Sequence, residues 1–217
     1  MKKLTLTSAA MLEQSIVDPV KRRGNRQSRV PEIIDVSINV LIAAGYAGYT
    51  INRVANDAGI RLSTLQHYFP SREALLRATI EEISRRYLER FRHFAENKTH
   101  SPQARLETIV DDAFVELIKP GLPASIFESW GLALHEPFAR DVVVEMQKQF
   151  TRLFAELVGE INPQLSSAER ELRGALIMSS LEGLVVFLRW SNDSASKLKT
   201  YRNAVKVVWS GLSRADD

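Results

Sequence analysis

Apolar residues return along this chain at helical intervals, with no convincing alternation of the kind a β-strand shows. After Val30, Ile34, Ile38, Leu41 and Ile42 fall at i, i+4, i+7 and i+8 and make one stripe. Pro31 stands in what reads as the first turn, where its missing N–H costs nothing, and Gly45 ends the helix. Thr50 is a good N-cap for a short second helix whose Ile51, Val54, Ala55 and Ala58 face inward, and Gly59 stops it. A third helix is expected over Leu62–Tyr68. Ser71 then caps a longer fourth, through about Ala95. Five more follow, near 102–119, 124–135, 137–159, 167–190 and 196–212, divided by KPGLP, by Pro137 and by the turns INPQLSS and SNDSAS. The expected fold is all-α with about nine helices. Residues 1–28 lack periodicity and are expected to form a flexible extension.

The apolar runs are short and interrupted (Val142–Val144, Leu184–Leu188), so none reads as a membrane span, which needs about 20 apolar residues. The N-terminal MKKLTLTSAA has two lysines and an alanine pair. Thr and Ser, then Glu13 and Gln14 just beyond it, break the apolar run of residues 1–19, so it does not read as an export signal, and a cytoplasmic protein is expected. The 217 residues contain no cysteine, which excludes disulfides, thiolate metal sites and a cysteine nucleophile.

Charge changes the picture more. Residues 1–100 carry a net +6 and the remainder a net −3, so the basic excess lies wholly in the first half. Within it KRRGNRQSR (Lys21–Arg29) holds five positive charges and no negative one. Such a tract suits a polyanion partner or a solubilising tail.

The third helix is where chemistry concentrates. Leu65 and Phe69, four apart, face a core, with Leu62 at their edge. Ser63, Gln66 and His67, at i, i+3 and i+4, share the opposite side. The second helix, a three-residue linker and this helix form a helix-turn-helix by length and by Gly59 in the turn. A hydroxyl, an amide and an imidazole on one rod suit a major groove, where glutamine pairs with adenine, and equally suit a solvated face. Catalysis has no comparable signal. His67, His93, His100 and His135 belong to no metal-ligand spacing, and no nucleophile elbow, phosphate loop or dinucleotide fingerprint occurs, so neither an enzyme nor a cofactor is expected.

GYAGYTINRVANDAGIRLSTLQHYFPSREALL (Gly45–Leu76) resembles the DNA-binding domain of the tetracycline-repressor (TetR) family of bacterial regulators. The likeness rests on Gly45-Tyr46, Thr50, Ala58-Gly59-Ile60, Thr64-Leu65, Tyr68-Phe69, Arg72 and Leu75-Leu76, in register from Arg29 to Leu75. The C-terminal half is weakly similar to BetI-like members of that family, through Trp130-Gly131 and Leu181-Glu182-Gly183. The resemblance implies a DNA-binding domain at 29–75 and a ligand-binding and dimerisation domain at 76–217. It implies a repressor released from a pseudo-palindromic operator by a small molecule. The alternatives are a DNA-binding protein without an effector and, least of all, a helical enzyme.

Carried onto this sequence, the resemblance gives Thr50 a phosphate contact, places Leu62, Ser63, Thr64, Gln66 and His67 at the groove, and assigns Tyr68 and Arg72 to phosphates. Gln66 stands where many members have Tyr, and Leu62 where many have a polar residue, so the operator sequence does not transfer. Arg22, Arg23, Arg26 and Arg29 would form an arm along the backbone or minor groove. A ligand would meet some of Phe114, Phe127, Glu128, Trp130, His135, Phe150 and Met178. Dimerisation would use Leu172, Leu176, Gly183 and Val186 of helix eight with Tyr201, Val205 and Val208 of helix nine.

Overall fold

The computed structural model describes residues 26–119, 121–190 and 194–214, with side chains from Arg29 onward. The described residues form α1 (Arg26–Gly48), α2 (Ile51–Asp57), α3 (Leu62–Tyr68), α4 (Arg72–Ala95), α5 (Pro102–Leu117), α6 (Gly121–Ala133), α7 (Pro137–Ile161), α8 (Ser167–Arg189) and α9 (Ala195–Arg214), and no strand. Arg22 and Arg23, the first two arginines of the expected arm, lie outside the described residues.

α1 is broken at Gly45, where the sequence reading ends it, and resumes as a last turn to Gly48; two helix starts differ from that reading by three residues or more. α1 begins at Arg26, inside the expected extension, so Pro31 sits within the helix rather than in its first turn. α6 begins at Gly121, before Ala124, because Pro123 falls in its first turn, where no N–H donor is required. The caps follow the sequence more closely. The Thr50, Ser71, Ser101 and Ser166 side chains each accept a backbone N–H of the helix they open.

Two apolar cores share the molecule. The first packs α1–α3 and the start of α4 around Leu41, Val54, Leu65 and Leu75, and it also takes in Leu132 of α6 and Phe138, Ala139 and Val142 of α7. The second, larger one joins the rest of α4 to α5–α9 around Phe154 and Trp209. α7 and α8 approach so closely at Gly174 that a Cβ there would stand 2.6 Å from the Thr151 carbonyl oxygen and 2.8 Å from the Ala155 nitrogen.

α1 is long and apolar enough over Arg29–Gly48 to cross a membrane by length and composition, which the interrupted apolar runs do not suggest. In the fold its Ile33, Ile34, Val40 and Leu41 are core residues. Its buried Ser37 hydroxyl bonds the Tyr49 hydroxyl and Thr79 Oγ1, each at 2.6 Å. Thr79 is tied in turn to the Leu75 carbonyl. Burial raises the Tyr49 pKa above its ordinary value, so the phenol stays protonated within this chain of hydroxyls.

Candidate nucleic-acid interface and ligand cavity

α2 and α3 are short, and their geometry comes from the turn between them. Gly59 has φ +64°, which favours glycine. Its N–H donates to the Asn56 carbonyl and that of Ile60 to the Ala55 carbonyl, a Schellman stop. Arg61 then starts α3. Leu65 and Phe69 are buried beneath α3, as the spacing predicts, and Leu62 and Tyr68 are half-buried at its edges. Ser63, Thr64, Gln66 and His67 are all exposed. Thr50 is exposed too, and its Oγ1 accepts the Arg53 N–H at 3.1 Å, which leaves the hydroxyl proton available.

Arg72 is used differently from the expectation. Its Nε donates to the Tyr49 carbonyl at 3.1 Å and its Nη2 to the Tyr46 carbonyl at 2.9 Å. The guanidinium lies 4.1 Å from the centre of the Tyr46 ring. It braces the α1–α2 corner, a fixed-fork task suited to arginine, with those donors spent on protein. Arg61, which the sequence reading passed over, is exposed directly before α3 and makes no ion pair among the described residues. Its position one residue ahead of the polar row was the available signal.

The same corner is tied to α6. Tyr46 donates its N–H to Glu128 Oε2 at 2.7 Å, and its hydroxyl donates to Glu136 Oε1 at 3.1 Å. Gly45, at φ 62° and ψ 178°, holds a conformation open in practice only to glycine, and a Cβ there would stand 2.9 Å from Glu128 Oε1. Gly45→Ala is therefore expected to destabilise the chain by about 1–3 kcal/mol. Urea denaturation measures this, and a loss below about 0.5 kcal/mol would contradict the strained corner.

A cavity of about 80 Å³ opens among α4, α5, α6, α7 and α8. Its walls are almost wholly apolar, with Tyr87, Phe91, Trp130 and Phe150 among the rings and Met146 and Met178 among the flexible groups. The Tyr87 phenol is pushed up to about 12, first by burial and then by the Glu116 charge, and so stays a neutral donor. Of the expected ligand contacts, Trp130, Phe150 and Met178 line this space. Four do not. Phe114 is buried in the core and borders a shallow groove against α9. The Phe127 ring stacks edge-on against Trp130 and tilts towards Trp190. Glu128 turns to Tyr46, and His135 is exposed beyond the end of α6. Among the described residues no three His, Asp or Glu side chains are placed to hold a metal ion.

The expected dimer contacts divide as well. Leu172, Leu176, Gly183 and Val186 lie exposed along one side of α8, and Val208 is exposed on α9. Tyr201 and Val205 instead pack partly against the core, and the Tyr201 ring meets Phe187 at 5.3 Å. The more exposed apolar residue on α9 is Val207, one position before Val208.

Residues 33–79 match the model of the family described as bacterial regulatory proteins, tetR family. The HTH-type transcriptional regulator BetI of Escherichia coli O17:K52:H18 (strain UMN026) is 25% identical over 167 residues, spanning 74% of this chain and 82% of that protein. A TetR transcription regulator from Haloarcula marismortui ATCC 43049 has the same fold with a TM-score of 0.73 at 18% identity, over 85% of this chain and 98% of that one. Salmonella enterica GusR gives 0.72 at 16%, over 89% and 99%.

Proposed function

We propose that this chain, whose residues 33–79 form a TetR-type DNA-binding domain, is a transcriptional regulator that binds its operator as a homodimer and releases it when a small molecule fills the α4–α8 cavity. The observation that carries the reading is α3 itself. Seven residues long, it is anchored by Leu65 and presents the side chains of Ser63, Thr64, Gln66 and His67 to solvent, none of them hydrogen-bonded to another described residue. A protruding helix with unspent donors and acceptors fits a major groove, where Gln66 reads adenine and Ser63, Thr64 and His67 meet base edges or phosphates. The Thr50 and Tyr68 hydroxyls and Arg61 hold phosphates on either side.

The apolar row of α8 and Val208 of α9 supply a self-complementary face for a second copy, giving a four-helix bundle. A two-fold dimer of this kind sets two reading helices about 34–36 Å apart on one face of a duplex. The cavity supports a ligand-responsive regulator over an effector-free one. Only Phe69, Pro70 and Ser71 separate α3 from α4, which passes along the cavity through Ile80, Ile83 and Tyr87. α6 offers a second route, with Ile126 and Trp130 in the cavity wall and Glu128 on the α1–α2 corner. A ligand acts only by binding the two arrangements of these helices unequally.

The test is fluorescence anisotropy with duplexes from the DNA flanking the chain's own gene, across a salt series. Affinity should fall steeply with salt, as expected when several phosphates are neutralised. Gln66→Ala should cost about 1–3 kcal/mol at particular base pairs and relax preference there. Arg61→Ala should weaken all duplexes alike and flatten the salt slope by about 1. If both variants bind as the parent does, α3 is not the reading helix.

A further inference from the structure

Two spaces meet at the seam between α4 and α7. One is the apolar cavity. The other is an open groove of about 530 Å³ outside it, walled by charges of both signs, among them Arg77, Arg85, Glu89 and Glu145. Ser84 of α4 and Met146 of α7 line both spaces, and no other described residue does. Each is half-buried, whereas Ile83, Val143 and Phe150 of the same cavity wall are buried. The Ser84 hydroxyl donates to Met146 Sδ at 3.4 Å. At the seam, then, groove and cavity are divided by a thioether side chain and a hydroxyl joined by one weak bond.

Size gives that side chain a task. An apolar cavity of about 150 Å³ takes up benzene. At about 80 Å³ this one is too small to do so until part of its wall moves. Methionine is the wall residue best able to move, being unbranched with three rotatable bonds. Met178, the other methionine of the wall, is buried in α8 and does not border the groove. Met146 can swing into the groove, which opens the seam and adds the room it vacates to the cavity.

We infer that the ligand enters from the α4–α7 groove past Met146, and that the molecule admitted is uncharged and apolar. Ser84 latches the methionine while the cavity is empty. The mixed charges of the groove select neither sign, and the apolar walls beyond it penalise a buried charge. The two carboxylates of the wall are engaged by protein groups, Glu116 by Arg90 and Lys119 and Glu182 by the Gln147 amide. An occupant that displaces Met146 breaks its bond to Ser84 and so acts on α4, the helix that follows α3. The inference rests on the ligand-responsive reading above and adds a route and a ligand class to it.

Stopped-flow mixing of the full chain with bromobenzene tests it, followed by the quenching of tryptophan fluorescence that bromine beside Trp130 produces. Met146→Ile exchanges a flexible side chain for a stiff one of similar size and should slow association about tenfold. Met178→Ile makes the same exchange away from the seam and should leave the rate within about twofold of the parent's. Ser84→Ala removes the latch and should raise the rate about threefold. A rate indifferent to both Met146→Ile and Ser84→Ala, or slowed equally by Met178→Ile, overturns the route while the cavity remains a ligand site. Benzyltrimethylammonium binding as tightly as bromobenzene in calorimetric titration overturns the ligand class. No saturable quenching by bromobenzene overturns the cavity as a ligand site, and the route with it.

Discussion

Replacing Trp209 with alanine is expected to lower the stability of the folded chain by about 3–5 kcal/mol. Trp209 is fully buried in α9 and meets Phe154 of α7 edge-on, with ring centres 5.5 Å apart. Its indole N–H donates to Ser180 Oγ of α8 at 3.2 Å. One side chain therefore ties α9 to both α7 and α8. Truncation leaves a cavity that these long helices cannot close without sliding, and it removes the partner of Ser180. Urea denaturation followed by circular dichroism gives the change directly. A thermal midpoint lower by on the order of 10 °C accompanies it. Trp190→Ala is the matched control. Its side chain is 74% exposed, so its loss should stay within about 0.5 kcal/mol. If the two variants lose similar stability, α9 is not docked through Trp209.

The second large effect lies in α3. Leu65→Ala is expected to cost about 2–5 kcal/mol and to reduce binding to every duplex. Leu65 is fully buried, and a seven-residue helix cannot hold itself in water. Its order comes from Leu65 and Phe69 beneath it and from the Gly59 turn before it. The adjacent residue gives the opposite outcome. Gln66→Ala leaves the thermal midpoint nearly unchanged and alters which base pairs are preferred. Measuring both variants by denaturation and by anisotropy separates the anchor of the helix from its reading face. Leu65→Ala with full stability and full binding would mean that α3 is held by something other than this core.

Helical patterning made most of the fold legible. Patterns such as Ile34 with Leu41, and Val54 with Ala55, specify which face is buried, and serine and threonine at element starts specify caps. The helix starts that shifted, at Arg26 and Gly121, did so beside prolines, which sequence reading takes as boundaries and which a first turn or a kinked helix tolerates. The exposed row on α3 was equally legible, because i, i+3, i+4 spacing fixes a face. Arg72 was not, since whether an arginine meets phosphate or a nearby carbonyl depends on how a distant corner folds. Glu128 and His135 failed for the same reason. Residues seven apart share a side of a helix, yet here one faces the α1–α2 corner and the other solvent.

The first apolar core has a practical meaning for protein engineering. Leu132, Phe138, Ala139 and Val142 belong to it together with α1–α3, and the Tyr46–Glu128 bond crosses the same boundary. A cut at residue 75 would strip the reading unit of part of its own interior. If the chain works as proposed, exchange of its C-terminal half should succeed when the donor's residues at these five positions travel with the DNA-binding half. Grafts that keep foreign side chains there should yield proteins whose operator affinity no longer answers to their ligand.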